Sequence, residues 1–219
     1  MANREKIAIG EYYHVYNRGV DKRLIIKDNE DVERFIQSLE FFNSKEPIRS
    51  LREIISNNGK NIKPNEALVK IICYDLNTNH FHLLLKEIND GGISEFMKRI
   101  GGGYTWYFNN KNKRSGSLFQ GTFKSVHIKS NEQLLHTSVY INLNYKVHKI
   151  SGETAENVKS SWGEYIGKTD KNICDKKIIL EQFKSIKEYE DFTRSSLEEI
   201  LKVKDNKNGL EMLIGKYFF

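Results

Sequence analysis

Residues 68–86 read LVKIICYDLNTNHFHLLLK, and this stretch decides the fold. Two apolar runs, Leu68–Leu76 and His80–Lys86, flank Asn77-Thr78-Asn79 so closely that a β-hairpin is the natural reading. Upstream, Tyr12–Asn17 predicts a strand ending in the turn-forming Asn17-Arg18-Gly19. Asp28 can then cap a helix whose Val32, Phe35, Ile36, Leu39 and Phe42 follow helical spacing. The polar stretch from Ser44 to Asn65 holds both prolines, Pro47 and Pro64, and reads as a loop or insertion.

Downstream, a helix is predicted from about Ile93 to Asn110, with Gly101-Gly102-Gly103 forcing either a kink or a close backbone approach. A polar loop, Lys111–Gly116, leads to a strand at Phe123–Lys129. Ser130 and Gln133 form a capping box that opens a helix running to about Tyr145. Beyond Ile150 the pattern weakens. Trp162 sits in an irregular stretch, and one or two helices cover Ile178–Val203. The order β-α-β-β-α-β predicts an α+β fold: a ferredoxin-like (split βαβ) antiparallel sheet with helices on one face. A further helix bearing a tyrosine and a helical C-terminal extension complete it. Residues 1–150 form the main domain, and 151–219 an extension packed on or beside it.

The chain of 219 residues has a net charge of +6. The excess is local. Phe96–Asn131 carry Lys98, Arg99, Lys111, Lys113, Arg114, Lys124 and Lys129 with no acid, leaving 28 bases against 29 acids elsewhere. Tyr104, Trp106, Tyr107, Phe108 and Phe119 are interleaved with them, and basic charge beside aromatic faces suits single-stranded nucleic acid. Composition alone equally allows a solvated basic face over a core of aromatics. Two distant cysteines, Cys73 and Cys174, rule out a disulfide framework or a cysteine-built zinc site. No apolar run reaches the roughly 18–20 residues that span a bilayer, and the start lacks a signal-peptide core, which predicts a cytoplasmic protein.

Two constellations could carry chemistry. His80 and His82 flank Phe81 on a strand, so both imidazoles project from one face about 6.6–6.8 Å apart along the backbone and can converge on a divalent cation. An exposed or hydrogen-bonded pair would read the same way. On the helix from Asn131 to Tyr145, apolar positions cover most of the circumference and leave a polar stripe of His136, Thr137, Tyr140 and Asn144. Tyr140 and Asn144 lie one turn apart on one side. A core tyrosine satisfied by a neighbour is the plain alternative. His136, one turn before Tyr140, could relay a proton or orient the phenol. His14 and His127 fall on predicted strands and are given no direct role.

The run Asn79-His80-Phe81-His82-Leu83-Leu84-Leu85 resembles the histidine–hydrophobic–histidine motif of the HUH single-strand transposases with one catalytic tyrosine, in particular the REP-associated tyrosine transposases. Other segments agree: Tyr13-His14-Val15-Tyr16-Asn17-Arg18-Gly19, Met97-Lys98-Arg99-Ile100, Arg114-Ser115-Gly116-Ser117-Leu118-Phe119-Gln120-Gly121, and Tyr140-Ile141-Asn142-Leu143-Asn144. The family usually continues its tyrosine motif with Asn-Pro, whereas Asn144 is followed by Tyr145.

The resemblance implies metal binding by His80, His82 and Asn144, with Mg²⁺ or Mn²⁺ as the ion and Tyr140 as the nucleophile. It implies a sequence-specific single-stranded DNA transposase acting next to a hairpin through a 5′-phosphotyrosine intermediate, nucleoid-associated in a bacterial-type cell. Lys98, Arg99, Lys113, Arg114 and Lys124 are candidates for phosphate contacts, and Trp106 and Phe119 for base stacking. A monomer is favoured over a homodimer. The alternative function is a domesticated hairpin-binding protein that no longer cuts. An RNA phosphoesterase with two H-x-[ST] motifs is not supported, because only one of the six histidines, in His136-Thr137-Ser138, supplies such a motif.

Overall fold

The computed structural model describes residues 6–46, 66–150 and 158–205. The elements run β1 (Tyr12–Arg18), α1 (Asn29–Phe41), β2 (Val69–Leu76), β3 (His80–Glu87), α2 (Gly92–Lys111), β4 (Lys124–Ile128) and α3 (Asn131–Asn142). A one-turn α4 (Asn144–Val147) follows, then β5 (Lys159–Ser160), α5 (Trp162–Tyr165), α6 (Lys177–Leu180) and α7 (Ile186–Asp205). The sheet order is β4-β1-β3-β2-β5 with every pairing antiparallel. Its first four strands carry the α+β, ferredoxin-like arrangement that the element order predicts. The fifth strand went unread in the sequence, because two residues beside Trp162 carry no alternation.

Asp28 caps α1 as expected, its carboxylate accepting from the Asp31 N–H at 3.0 Å. The 77–79 turn closes the β2–β3 hairpin, with the Asn77 N–H donating to the His80 carbonyl at 2.9 Å. Most of the polar stretch at 44–65 lies outside the described residues. Its described flanks meet, however: the Lys45 N–H donates to the Glu66 carbonyl at 2.8 Å.

One face of the sheet presents Tyr13, Val15, Phe81, Leu83 and Leu85, all buried, to α1 and α2. The Phe35 ring lies 5.2 Å from Phe81 and 4.8 Å from Tyr104, so helix, sheet and helix share one aromatic seam. Each such side chain taken from water contributes about 1.5–3 kcal/mol. The other face receives α3, whose Val139 joins Leu143, Val147 and Ile200 of α7 in a second apolar cluster.

A β-bulge at Ile72 alters this geometry. Ile71 pairs with Leu85, but Cys73 already pairs with Leu84, so β2 advances one residue on β3. Side chains alternate with period two, so the extra residue exchanges the two faces of everything beyond it. Tyr74 and Leu76 therefore sit opposite Leu83 and Phe81 on the core face, while Asp75 sits opposite His82.

The glycine triplet does not break α2, which runs unbroken from Gly92 to Lys111. It serves a close approach instead. A Cβ on Gly103 would lie 2.5 Å from the Phe42 ring, whereas one on Gly101 or Gly102 would meet nothing within 4 Å. Replacing Gly103 with alanine is therefore expected to destabilise the protein by about 1–3 kcal/mol. Gly102→Ala, in open space within a helix, is expected to stabilise it by up to about 1 kcal/mol. Chemical denaturation of the two variants reads both signs, and equal shifts would contradict the packing described.

Candidate active site

The sheet face beneath α3 is polar because the register makes it so. His80 and His82 alternate with Phe81 and Leu83, putting both imidazoles on this face. Pairing then lays a row of side chains across all five strands: Lys124, Tyr16, His82, Asp75 and Ser160. Arg18 lies opposite His80 in the next row.

Tyr140 comes down from α3, its ring 5.6 Å from that of His82 and 6.2 Å from that of His14, edge-on to both. The helix expected to reach Tyr145 stops earlier. Leu143 leaves helical geometry (φ −116°, ψ 24°), and the one-turn α4 restarts at Asn144. Neighbours pin that break. Ser160 Oγ donates to the Asn142 carbonyl at 2.9 Å and Ser161 Oγ to Asn142 Oδ1 at 2.6 Å. Asn144 emerges fully buried, its Oδ1 accepting from Asn77 Nδ2 at 2.8 Å.

Each imidazole is anchored through one nitrogen. His80 Nδ1 donates to Asn79 Oδ1 at 2.6 Å, which leaves the lone pair on Nε2, 3.2 Å from Asn77 Nδ2. His82 Nδ1 lies 2.9 Å from His14 Nε2, with the two rings stacked at 5.0 Å. His14 is thus the residue that sequence reasoning undervalued. Its signal was present in the alternation His14, Tyr16, Arg18, but only the β1–β3 register shows where that alternation points. His148 also lies near, its ring 5.9 Å from that of His80.

Burial sets the protonation states. It lowers His14 to about 3 and His80 to about 4, and holds His82 well below its ordinary value, with the neighbouring histidines adding to the shift for His82. All three are neutral near pH 7, which is the form in which an imidazole binds a cation. Tyr140 is pushed up to about 12 by burial, with Asn144 beside it acting in the opposite direction. Among the described residues no group of three or more His, Cys, Asp and Glu is placed to hold a metal. A cation here would draw on the Asn144 carboxamide with the two imidazoles. Their neutral charge and anchored outer nitrogens suit that role.

A sequence model described as "Transposase IS200 like" matches residues 12–144, from the first residue of β1 to Asn144. The chain belongs to this IS200-like transposase family. Among solved structures, one described as the "Structure of the REP associates tyrosine transposase bound to a REP hairpin" is similar at 13% identity. That match covers 80% of this chain and 97% of the other, with a TM-score of 0.44. No curated protein matches the sequence.

In this IS200-like family member the basic segment does not form one surface. Lys124 stands exposed in the same row as Tyr16 and His82. Lys98 and Trp106 are exposed on α2, which covers the opposite face. Lys113 is exposed just beyond α2, with φ of 49°. Arg99 is taken up by Glu95 at 2.8 Å and by the Ser44 carbonyl, and Arg114 by Asn109 Oδ1 and the Ser117 carbonyl. Lys111 binds Asp28, Glu30 and Asp31. Phe119 is buried with its ring 5.6 Å from Phe81, so it belongs to the core rather than to a stacking surface. His136, placed beside Tyr140 by helical spacing, has its Nδ1 2.7 Å from Ser196 Oγ on α7 and its ring 5.6 Å from Phe192. The C-terminal helix thus engages the ring that the sequence offered as a proton relay.

The depressed histidines bear on stability. A histidine whose folded pKa lies below its unfolded value binds a proton more readily unfolded, so stability is complete above about pH 6.5 and falls toward the folded value. For His14, 4% exposed, the loss is about 1.4 kcal/mol per pH unit below 6.5. Metal-free protein should therefore denature at lower urea at pH 5 than at pH 7, and His14→Gln should flatten that dependence. An unchanged pH slope in the variant would count against the assignment.

Proposed function

We propose that the chain is a sequence-specific single-stranded DNA transposase that cuts and rejoins strands next to a DNA hairpin, with Tyr140 as nucleophile. One observation carries the reading: in a chain of the IS200-like family, Tyr140 and Asn144 meet His80 and His82 over one polar sheet face. His80, His82 and Asn144 would hold Mg²⁺ or Mn²⁺. When bound, such an ion neutralises and orients the scissile phosphate.

The chain's own residues supply the rest. Packing of α3 holds the Tyr140 ring edge-on to His82, so the phenol is directed rather than free to rotate through solvent. A phenol with a pKa of about 12 stays protonated until a substrate and cation are in place, which restrains attack on water-exposed esters. In the reaction a bond forms between Tyr140 Oη and phosphorus, and the bond to the 3′ oxygen breaks. The phenol gives up one proton and the departing 3′ oxygen takes up one. The products are a 5′-phosphotyrosine and a 3′-hydroxyl, and attack by another 3′-hydroxyl reverses the step and joins strands.

The test is covalent capture. Wild type incubated with labelled hairpin DNA carrying a single-stranded flank and Mn²⁺ should yield an adduct stable on a denaturing gel, and Tyr140→Phe should yield none. An adduct formed by Tyr140→Phe would remove Tyr140 from the role. Hairpin binding by wild type with no adduct would return the chain to a non-cutting DNA-binding protein.

Lys124 is the one of the five candidate phosphate contacts that shares the row of His82 and Tyr16, and it would meet backbone phosphate there. Lys124→Ala is expected to weaken single-strand binding several-fold and to reduce the slope of log K against log salt by about 0.7. An unchanged slope would show that this lysine contacts no phosphate.

A further inference from the structure

The floor of the site holds a group that the three implied ligands leave unexplained. Asp75 is fully buried, and its carboxylate accepts one hydrogen bond, from Asn77 Nδ2 at 2.5 Å. Its other oxygen has no hydrogen-bond partner among the described residues. Burial pushes its pKa well up. A carboxyl group kept in such a place is costly to the fold unless something charged meets it.

Asn77 Nδ2 shows what that could be. It lies within hydrogen-bonding distance of three acceptors: Asp75 Oδ2 at 2.5 Å, Asn144 Oδ1 at 2.8 Å and His80 Nε2 at 3.2 Å. An amide has two N–H bonds, so it cannot satisfy all three. Asn77 Oδ1 and Asn144 Nδ2 are themselves buried without partners among the described residues. A carboxylate oxygen, an amide oxygen and an imidazole nitrogen around one point form the donor set of a divalent cation rather than of an amide. Asp75 reaches this point only because the bulge at Ile72 exchanges the faces of β2, and bulges of this kind re-aim side chains at functional sites.

We propose that Asp75 becomes a direct ligand of the divalent cation, joining His80 and Asn144 around the point that the Asn77 amide nitrogen fills in the metal-free protein, where no three of the described His, Cys, Asp and Glu residues are yet placed to hold a metal. The inference rests on the cation reading of His80, His82 and Asn144 given above. Asn77 then competes with the ion rather than assisting it, and its side chain swings aside when the ion enters.

The experiment measures Mn²⁺ binding to the full chain without DNA, by the loss of the free-Mn²⁺ electron paramagnetic resonance signal, together with the melting temperature of the metal-free protein. Asp75→Asn should weaken Mn²⁺ binding at least about tenfold, while its metal-free melting temperature stays level or rises because a buried ionisable group has gone. Asn77→Ala should bind Mn²⁺ no more weakly than wild type. Three results would overturn the proposal: Mn²⁺ binding by Asp75→Asn within twofold of wild type, a fall in its metal-free melting temperature, or an Asn77→Ala loss equal to that of Asp75→Asn. The last would make Asp75 a positioning residue acting through Asn77. His80→Ala separates the underlying reading. If it abolishes Mn²⁺ binding while Asp75→Asn does not, the cation site stands and only Asp75 fails. If it leaves Mn²⁺ binding intact, the site reading itself fails.

Discussion

The antiparallel register of β3 against its two neighbours is the constraint on which the site depends. β3 is the central strand, so its pairing with β1 and β2 decides which side chains stand beside His80 and His82. A slip of one residue on either side would turn the partners to the aromatic core face. The hydrophobic demand of that core, with Tyr13, Val15, Phe81, Leu83 and Leu85 all buried, resists any slip. The stability of one face thus determines the chemistry of the other, and residues far from the reacting atoms hold the row in line.

The site also illustrates a balance between folding and binding. Four histidines, a buried aspartate and two buried carboxamides gather within a few ångströms, where an apolar set would pack at less cost. The protein limits the penalty by keeping His14, His80 and His82 neutral and by linking them through their outer nitrogens. Three of the buried polar atoms without a hydrogen-bond partner among the described residues, Asp75 Oδ1, Asn77 Oδ1 and Asn144 Nδ2, belong to the group around Asn77. The residues after 150 contribute here as well: β5 and the Ser161 hydroxyl grip Asn142 where α3 must stop for Asn144 to turn inward. They therefore help to build the site, although they lie beyond the family match at 12–144.

The distribution of charge has a similar lesson. The basic segment Phe96–Asn131 is one run in the sequence, but it divides in space. Lys111 closes an acidic cluster on α1, and Arg99 ties α2 to the end of the α1 region through the Ser44 carbonyl. Lys124 alone of the five candidate phosphate contacts shares a cross-strand row with His82. A charge count finds the segment, and the packing sorts which of its members face solvent near the tyrosine.

Period-two alternation around a short turn was enough to read the hairpin and the side-by-side placement of His80 and His82, because both are local properties of one strand. The capped helix bearing Tyr140 was legible for the same reason, as was the order of elements that fits a split βαβ sheet. The partners of those residues were not legible. Simple alternation from Val69 through Ile71 and Cys73 assigns Asp75 to the core face, and the bulge at Ile72 reverses it. An uninterrupted helix to Tyr145 would continue through Asn144, whereas the break at Leu143 and the grip on Asn142 set it in the floor of the site. Local pattern determined which residues could carry chemistry. Pairing between distant strands, which no window of sequence contains, decided which of them meet.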